Sequence, residues 1–301
     1  MRTETPHSSR LYAQTAWFCV IVFSVLFLCS FQATAKKPRK QPSPSPPPVS
    51  EFPGGEEVKW QVGPSVGDLG DTAEVRLPDG YVFAGAKDTR LLMEAMHNPE
   101  TGQELGFVAP PSKEWFVVFE YDDAGYVRDD EKGSLDADAM LKSIREGNEH
   151  GNQERARRGW PAFNVVGWEQ PPRYNDQTHN LEWAIRGESA GSPVVNYETR
   201  LLGRGGVMKA TLVVDPAVLS TVMPDFKNVI AAFDFKDGKK YSQFTKGDKV
   251  AAYGLSALIV GGAAAVAVKT GAFKWLWKLI VVGFIGLSGF IKKLFSRRKT
   301  A

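Results

Sequence analysis

Residues 163–235 read FNVVGWEQPPRYNDQTHNLEWAIRGESAGSPVVNYETRLLGRGGVMKATLVVDPAVLSTVMPDFKNVIAAFDF. Four stretches in it, Phe163–Glu169, Leu181–Arg186, Val194–Leu202 and Val207–Val214, are rich in β-branched and aromatic residues and largely alternate. That is the pattern of half-buried strands. Pro171-Pro172, the segment 187–191 and Gly205-Gly206 separate them, the last as a tight hairpin turn. Asp215-Pro216 then reads as a helix cap with proline at the first helical position. Leu219, Val222, Phe226, Val229, Ile230 and Phe233 follow at helical spacing, with Pro224 expected to kink or restart the helix. Hairpin-linked strands running into a helix predict an α+β fold, an antiparallel sheet packed with helices in a layered sandwich.

The chain ahead of this stretch fits the same class. Val58–Val62 and Thr72–Leu77 read as short strands, and Leu77-Pro78-Asp79-Gly80-Tyr81 as a turn. Thr89–His97 reads as a helix with Asp88 as its N-cap and Leu91, Leu92, Ala95 and Met96 on its buried face. Trp115–Tyr121 is continuous enough in aromatic and β-branched residues to be a central strand. A second helix is expected over Ser134–Arg158, opened by Ser134 and Asp136. Its face of Met140, Leu141 and Ile144 gives way beyond Glu146 to a polar half that Gly147 and Gly151 weaken, so that half should project into solvent or break.

Charge divides the 301 residues into three parts. Residues 1–55 carry 6 Lys and Arg against 2 Asp and Glu; residues 56–248 carry 22 against 32, net −10; residues 249–301 carry 9 and no acid. An acidic body between basic, apolar ends is not the footprint of a nucleic-acid binder, which needs a basic folded face. Arg2 and Arg10, the uncharged run Trp17–Phe31 and Ala33-Thr34-Ala35 match a secretory signal peptide over residues 1–35, with a retained signal anchor as the alternative. Either form exports the rest. Both cysteines, Cys19 and Cys29, fall inside this segment, so a cleaved chain has no thiol and no disulfide. Residues 36–55, with seven prolines in Pro38–Pro53, read as a stiff polyproline spacer.

Residues 249–301 read as a membrane anchor with two apolar helices, 250–268 and 275–291, and a basic tail. Ala257, Gly261 and Ala265 place small residues on one face of the first. Two spans would put the basic tail outside, against the positive-inside tendency, and one span would leave the other helix in the interface. Lys269, Lys274 and Lys278 around the short connection favour a hairpin.

The densest polar cluster is EYDDAGYVRDDE, residues 120–131. Glu120, Asp122, Gly125 and Glu131 occupy positions one, three, six and twelve of a calcium loop, but Ala124 and Arg128 stand at ligand positions five and nine, and a strand precedes. A solvated acidic turn ahead of the helix is the plainer reading. Asp122, Asp123, Asp129 and Asp130, with His179, form the candidate metal set. His97, His150 and His179 show no zinc-type spacing, and no nucleophile elbow or phosphate loop occurs. No catalytic residue and no cofactor is therefore expected. Trp160 and Trp168, flanking Pro161 and approaching Pro171-Pro172, and Tyr174 are candidates for lining a groove for a glycan or peptide.

WFVVFEYDDAGYVRDDE (115–131), LDADAMLKSI (135–144), RRGWPAFNVVGWEQPP (157–172), HNLEWAI (179–185), NYETRLLGRGGVM (196–208) and GDKVAAYGL (247–255) together resemble the bacterial family catalogued as domain of unknown function 2167, predicted membrane-anchored proteins. The resemblance runs from about residue 59 to 295. It implies membrane anchoring and supplies no site residues. The strand-then-helix ending in Phe233-Asp234-Phe235 is similar in shape to small sandwiches of the PsbP/Mog1 type. The expectation is a non-enzymatic protein of the bacterial inner membrane, its soluble domain (residues 56–248) on the periplasmic side, binding an envelope protein or cell-wall glycan. The alternative is a metal-assisted hydrolase of an envelope polymer.

Overall fold

The computed structural model describes residues 52–260, Lys113 excepted. The expected leader, most of the proline spacer, and the apolar and basic residues from 261 onward lie outside the described residues.

Among the described residues eleven strands form two antiparallel sheets. The first three strands are β1 (Gln61–Val62), β2 (Ser65–Leu69) and β3 (Ala73–Leu77). After β4 (Val82–Gly85) comes α1 (Ala86–Ala95), then β5 (Glu104–Ala109) and β6 (Trp115–Asp122). Helix α2 (Ala137–Arg157) leads into β7 (Phe163–Asn175), β8 (Asn180–Ser189), β9 (Ser192–Leu202) and β10 (Val207–Val214). The described chain closes with α3 (Leu219–Ala231), β11 (Phe233–Phe235) and α4 (Leu255–Val260). The large sheet has the order β1-β4-β5-β6-β10-β9-β8-β7, and the small one β11-β3-β2. A large antiparallel sheet packed with helices is thus the architecture that the alternation predicted.

Alternation sends each strand's residues to two cores. On one face of the large sheet Val195, Tyr197 and Leu201 of β9 and Met208, Ala210 and Leu212 of β10 are buried together with Leu69 and Val75 of the small sheet and Val222, Phe226 and Val229 of α3. On the opposite face Leu181, Trp183 and Ile185 of β8 meet Met140 of α2 and Leu255, Leu258 and Ile259 of α4. A third cluster packs Leu92 of α1 over β4 and β5, joined by Phe52 and Val58. Phe52, expected in the spacer, is a core residue, edge-on to Phe107 at 5.4 Å.

Several expectations are corrected here. The strand expected over Val58–Val62 shrinks to Gln61–Val62, because Val58 and Trp60 are held by side-chain packing under Phe52 and Phe107. Helix α1 starts at Ala86 after Gly85, so Asp88 sits in its first turn and accepts from the Lys59 amide at 3.3 Å; Leu91 faces solvent. Helix α2 does not break at its glycines. Its polar half has backbone for a partner: Asn152 both donates to the Phe163 carbonyl (2.8 Å) and accepts from its amide (2.8 Å), and Arg155 donates to the His97 carbonyl (2.9 Å). Pro171-Pro172 lies inside β7 and does not end it. Strand β7 is the sheet edge, where a missing amide donor costs little, and its register with β8 shifts there. Asp215 turns the chain ahead of α3 by accepting from the Ala217 amide (2.7 Å), and α3 runs on through Pro224, which is exposed.

Residues 249–260 were expected to begin the anchor. Val250 bridges in parallel to Tyr126, and α4 packs into the core beneath α2. The Glu131 carboxylate accepts from the Ser256 amide at 3.0 Å, an acidic side chain at the start of α4. Among the described residues no helix is long and apolar enough to cross a membrane.

Candidate functional site

Where β8 and β9 run out from under α3, the small-sheet face of the large sheet is only partly covered. The opening is a groove of about 920 Å³, in the upper range of small-ligand sites. Its floor carries Glu182 of β8 with Tyr197 and Thr199 of β9. One wall is α3, with Met223, Lys227 and Ile230; β11 and the turn at Tyr241 and Ser242 form the other, and the β7–β8 loop closes the end.

The floor is polar where the strand pattern calls for apolar residues. Glu182 pairs directly across from Thr199 in the β8–β9 ladder. The Tyr197 hydroxyl donates to Glu182 Oε2 at 2.8 Å and accepts from Gln170 Nε2 at 3.3 Å. Burial pushes the Tyr197 phenol above its ordinary range, and the Glu182 charge adds to that. Thr199 is 1% exposed, and its hydroxyl has no hydrogen-bond partner among the described residues. A buried hydroxyl without a partner costs about 1–3 kcal/mol.

The closed end is an aromatic cluster. Tyr174 donates to Asp129 Oδ2 at 3.0 Å, and its oxygen lies 3.1 Å from His179 Nδ1. A phenol has one proton, and the carboxylate takes it, so His179 Nδ1 carries the hydrogen that points to Tyr174. The His179 ring tilts over Tyr241 at 4.7 Å; Tyr241 stacks on Tyr126 at 4.4 Å, and Tyr126 on Phe244 at 4.1 Å. Tyr241 donates to the Val127 carbonyl at 3.1 Å. These contacts staple the acidic loop, the β7–β8 hairpin and the Tyr241 turn together. His179 sits in the left-handed region, φ 52°, at the end of the loop that Asn175 organises by accepting from the Gln177 and Thr178 amides.

Burial holds the phenols of Tyr174, Tyr241 and Tyr253 far above the usual tyrosine range, and those of Tyr81, Tyr121 and Tyr197 above it. A pKa raised by folding contributes stability in full below the unfolded value of about 10 and loses it as pH climbs through the folded value. In an alkaline titration, phenolate absorbance of the native protein should therefore lag that of the urea-unfolded chain. The tyrosine contribution to stability should be flat up to about pH 10 and fall above it. Superimposed native and unfolded titration curves would contradict the buried hydroxyl network.

The structure disperses most of the candidates drawn from sequence. Asp129 and His179 meet through Tyr174. Asp122 instead accepts from the Tyr253 hydroxyl at 2.9 Å, Asp123 lies 3.8 Å from Lys249, and Asp130 is exposed. Among the described residues no group of three or more His, Cys, Asp and Glu is placed to hold a metal ion. Of the three aromatic candidates, Tyr174 lines the groove. Trp168 donates to the Ala137 carbonyl at 3.2 Å beneath α2. Trp160 stacks on His97 at 5.5 Å with the Arg158 guanidinium 4.8 Å from its ring. Glu182, Tyr197 and Thr199 were missed. Their signal was a threonine in an inward-facing row otherwise made of Val195, Tyr197 and Leu201.

The family model described as "Protein of unknown function (DUF2167)" matches residues 61–291, so the chain belongs to that family. No curated protein matches the sequence. Among solved structures, the solution structure of the cyanobacterial PsbP (CyanoP) of Synechocystis sp. PCC 6803 is similar at 12% identity. It covers 59% of this chain and 92% of its own, with a TM-score of 0.34. A protein of unknown function from Pseudomonas aeruginosa, PA94, is similar at 14% identity, covering 55% and 92%, with a TM-score of 0.23. At these scores neither likeness bears on function.

Proposed function

We propose that this member of the DUF2167 family is a non-enzymatic protein of the bacterial envelope, held in the inner membrane by its C-terminal end, whose exported domain takes a partner into the groove between β8, β9 and α3. The groove itself carries this reading: a cleft of about 920 Å³ lined by a buried hydroxyl that has no hydrogen-bond partner among the described residues. Polar side chains at such positions cost stability, and function is the common reason for keeping them.

Placement rests on the sequence and on α4. With Leu255–Val260 packed under α2, only residues 261–268 remain of the first apolar run, against the roughly 20 that a helix needs to cross. The run 275–291 is then the one span, and the tail of Lys292, Lys293, Arg297, Arg298 and Lys299 stays on the cytoplasmic side. That satisfies the positive-inside tendency that a hairpin would violate.

Cysteine labelling tests the groove. In a Cys19→Ser, Cys29→Ser background, Lys227→Cys and Ser242→Cys place a thiol at its rim, and Val166→Cys places one on an exposed stretch of β7. A membrane-impermeant maleimide should label all three in the purified protein. In intact envelopes it should label residues 227 and 242 several-fold more slowly than residue 166. Equal rates at the three positions in envelopes would overturn the proposal.

A further inference from the structure

We infer that the groove's occupant is an uncharged oligosaccharide; the inference rests on the reading of the groove as a binding site and adds the chemistry of what it binds. The charged groups around the groove are largely compensated within the chain. Lys240 lies 2.8 Å from Asp234, Arg173 lies 3.6 Å from Glu182, and Lys132 pairs with Asp176. Lys227 is the groove-lining cation without an acidic partner among the described residues, and it sits on the exposed side of α3. An anionic polymer meets a body of net −10 with little cationic surface free to receive it. A cationic ligand would have to displace existing ion pairs.

The polar groups left over suit hydroxyls and amides. Glu182 uses Oε2 for Tyr197, leaving Oε1 as an acceptor at the floor; a carboxylate has about four lone-pair sites. Asn180 is 6% exposed and lines the groove beside it, and Thr199 keeps its hydroxyl unpartnered. Across from them Met223, Ile230 and Phe233 present partly buried apolar surface. Hydrogen-bonding groups facing an apolar and aromatic wall match a sugar ring, which has equatorial hydroxyls at its edge and C–H bonds on its faces. The volume exceeds what one ring fills, hence an oligosaccharide.

The test uses the full chain in a zwitterionic detergent with no sugar head group, titrated calorimetrically with chitotriose (neutral, N-acetylated), its deacetylated cationic trimer and anionic trigalacturonate. Saturable binding of chitotriose is expected, with a Kd of roughly 1 mM or tighter, and at least about tenfold weaker binding of both charged trimers. Thr199→Val is the diagnostic variant. Removing an unpartnered buried hydroxyl should leave the melting temperature unchanged or raised, while chitotriose binding weakens several-fold; Glu182→Gln should weaken it further. If neither chitotriose nor neutral cellotriose binds while Lys227→Cys stays protected in envelopes, the carbohydrate inference falls and the groove remains a binding site. A preference for either charged trimer overturns it as well. Equal labelling at residues 227 and 166 removes both.

Discussion

Leu258→Asp unfolds the folded domain. Leu258 is 5% exposed and packs with Leu255 and Ile259 against Leu181, Trp183 and Met140. A carboxylate there meets no donor in an apolar cluster. It must stay charged without a partner or take up a proton, at a cost of several kcal/mol. A domain of this size has about 5–15 kcal/mol in total, so the variant should lose most or all cooperative melting. Ala252→Asp, three residues ahead of α4 and exposed, should melt within about 2 °C of the parent. The pair separates two pictures of residues 249–260. If they merely began a membrane helix, both aspartates would leave the body's melting transition alone. Circular dichroism melting of the full chain in detergent decides, and an unchanged transition in Leu258→Asp would return α4 to the anchor.

Phe226→Ala is the second large effect. Phe226 is 1% exposed and meets Tyr197 edge-on at 5.5 Å, fastening the middle of α3 to the face of β9. Truncating a buried phenylalanine to alanine costs about 3–5 kcal/mol, the transfer term plus the cavity left behind. Equilibrium denaturation in urea should show a midpoint lowered accordingly with the slope retained. Because Phe226 also lines the groove, chitotriose binding should fall along with stability. That sets the variant apart from Thr199→Val, where binding alone falls. A cost below about 1 kcal/mol would mean that α3 is not held where the geometry puts it.

The two large-effect sites show why some of this architecture was legible and some was not. Strands β8 to β10 were readable because their residues alternate and the turns between them carry glycine; Ala190-Gly191 closes the β8–β9 hairpin with both residues at positive φ. Strand β7 was legible only to Glu169, because Pro171-Pro172 reads as a break and the turn into β8, residues 176–179, holds no glycine. Strands β2, β4 and β5 were not. Gly67 and Gly106 look like strand breakers, yet a Cβ on either would lie within 2.7 Å of the Phe83 ring. Absent side chains are what let the small sheet close on the large one there, a tertiary fact with no local signal. The polar half of α2 was misjudged for the same reason, since Asn152 and Arg155 find their partners in distant backbone. At the candidate site, Asp129 and His179 stood in the candidate metal set and Tyr174 among the groove aromatics, and the three meet through the Tyr174 hydroxyl. The acidic run as a whole did not converge, because Tyr253 and Lys249, from a segment more than a hundred residues away, draw Asp122 and Asp123 elsewhere. Lys227 and Met223 reach the groove only because α3 lies across β9.

A single preparation of cells tests the whole placement most directly: a fluorescent protein that matures only in the cytoplasm, fused after Ala301, combined with impermeant-maleimide labelling of Val166→Cys. One C-terminal span with an exported body predicts bright cells whose thiol is labelled from outside. Labelled cells that stay dark would put the tail outside and restore the hairpin. Bright cells whose thiol labels only after lysis would leave the domain in the cytosol, and with it the groove's access to any partner in the envelope.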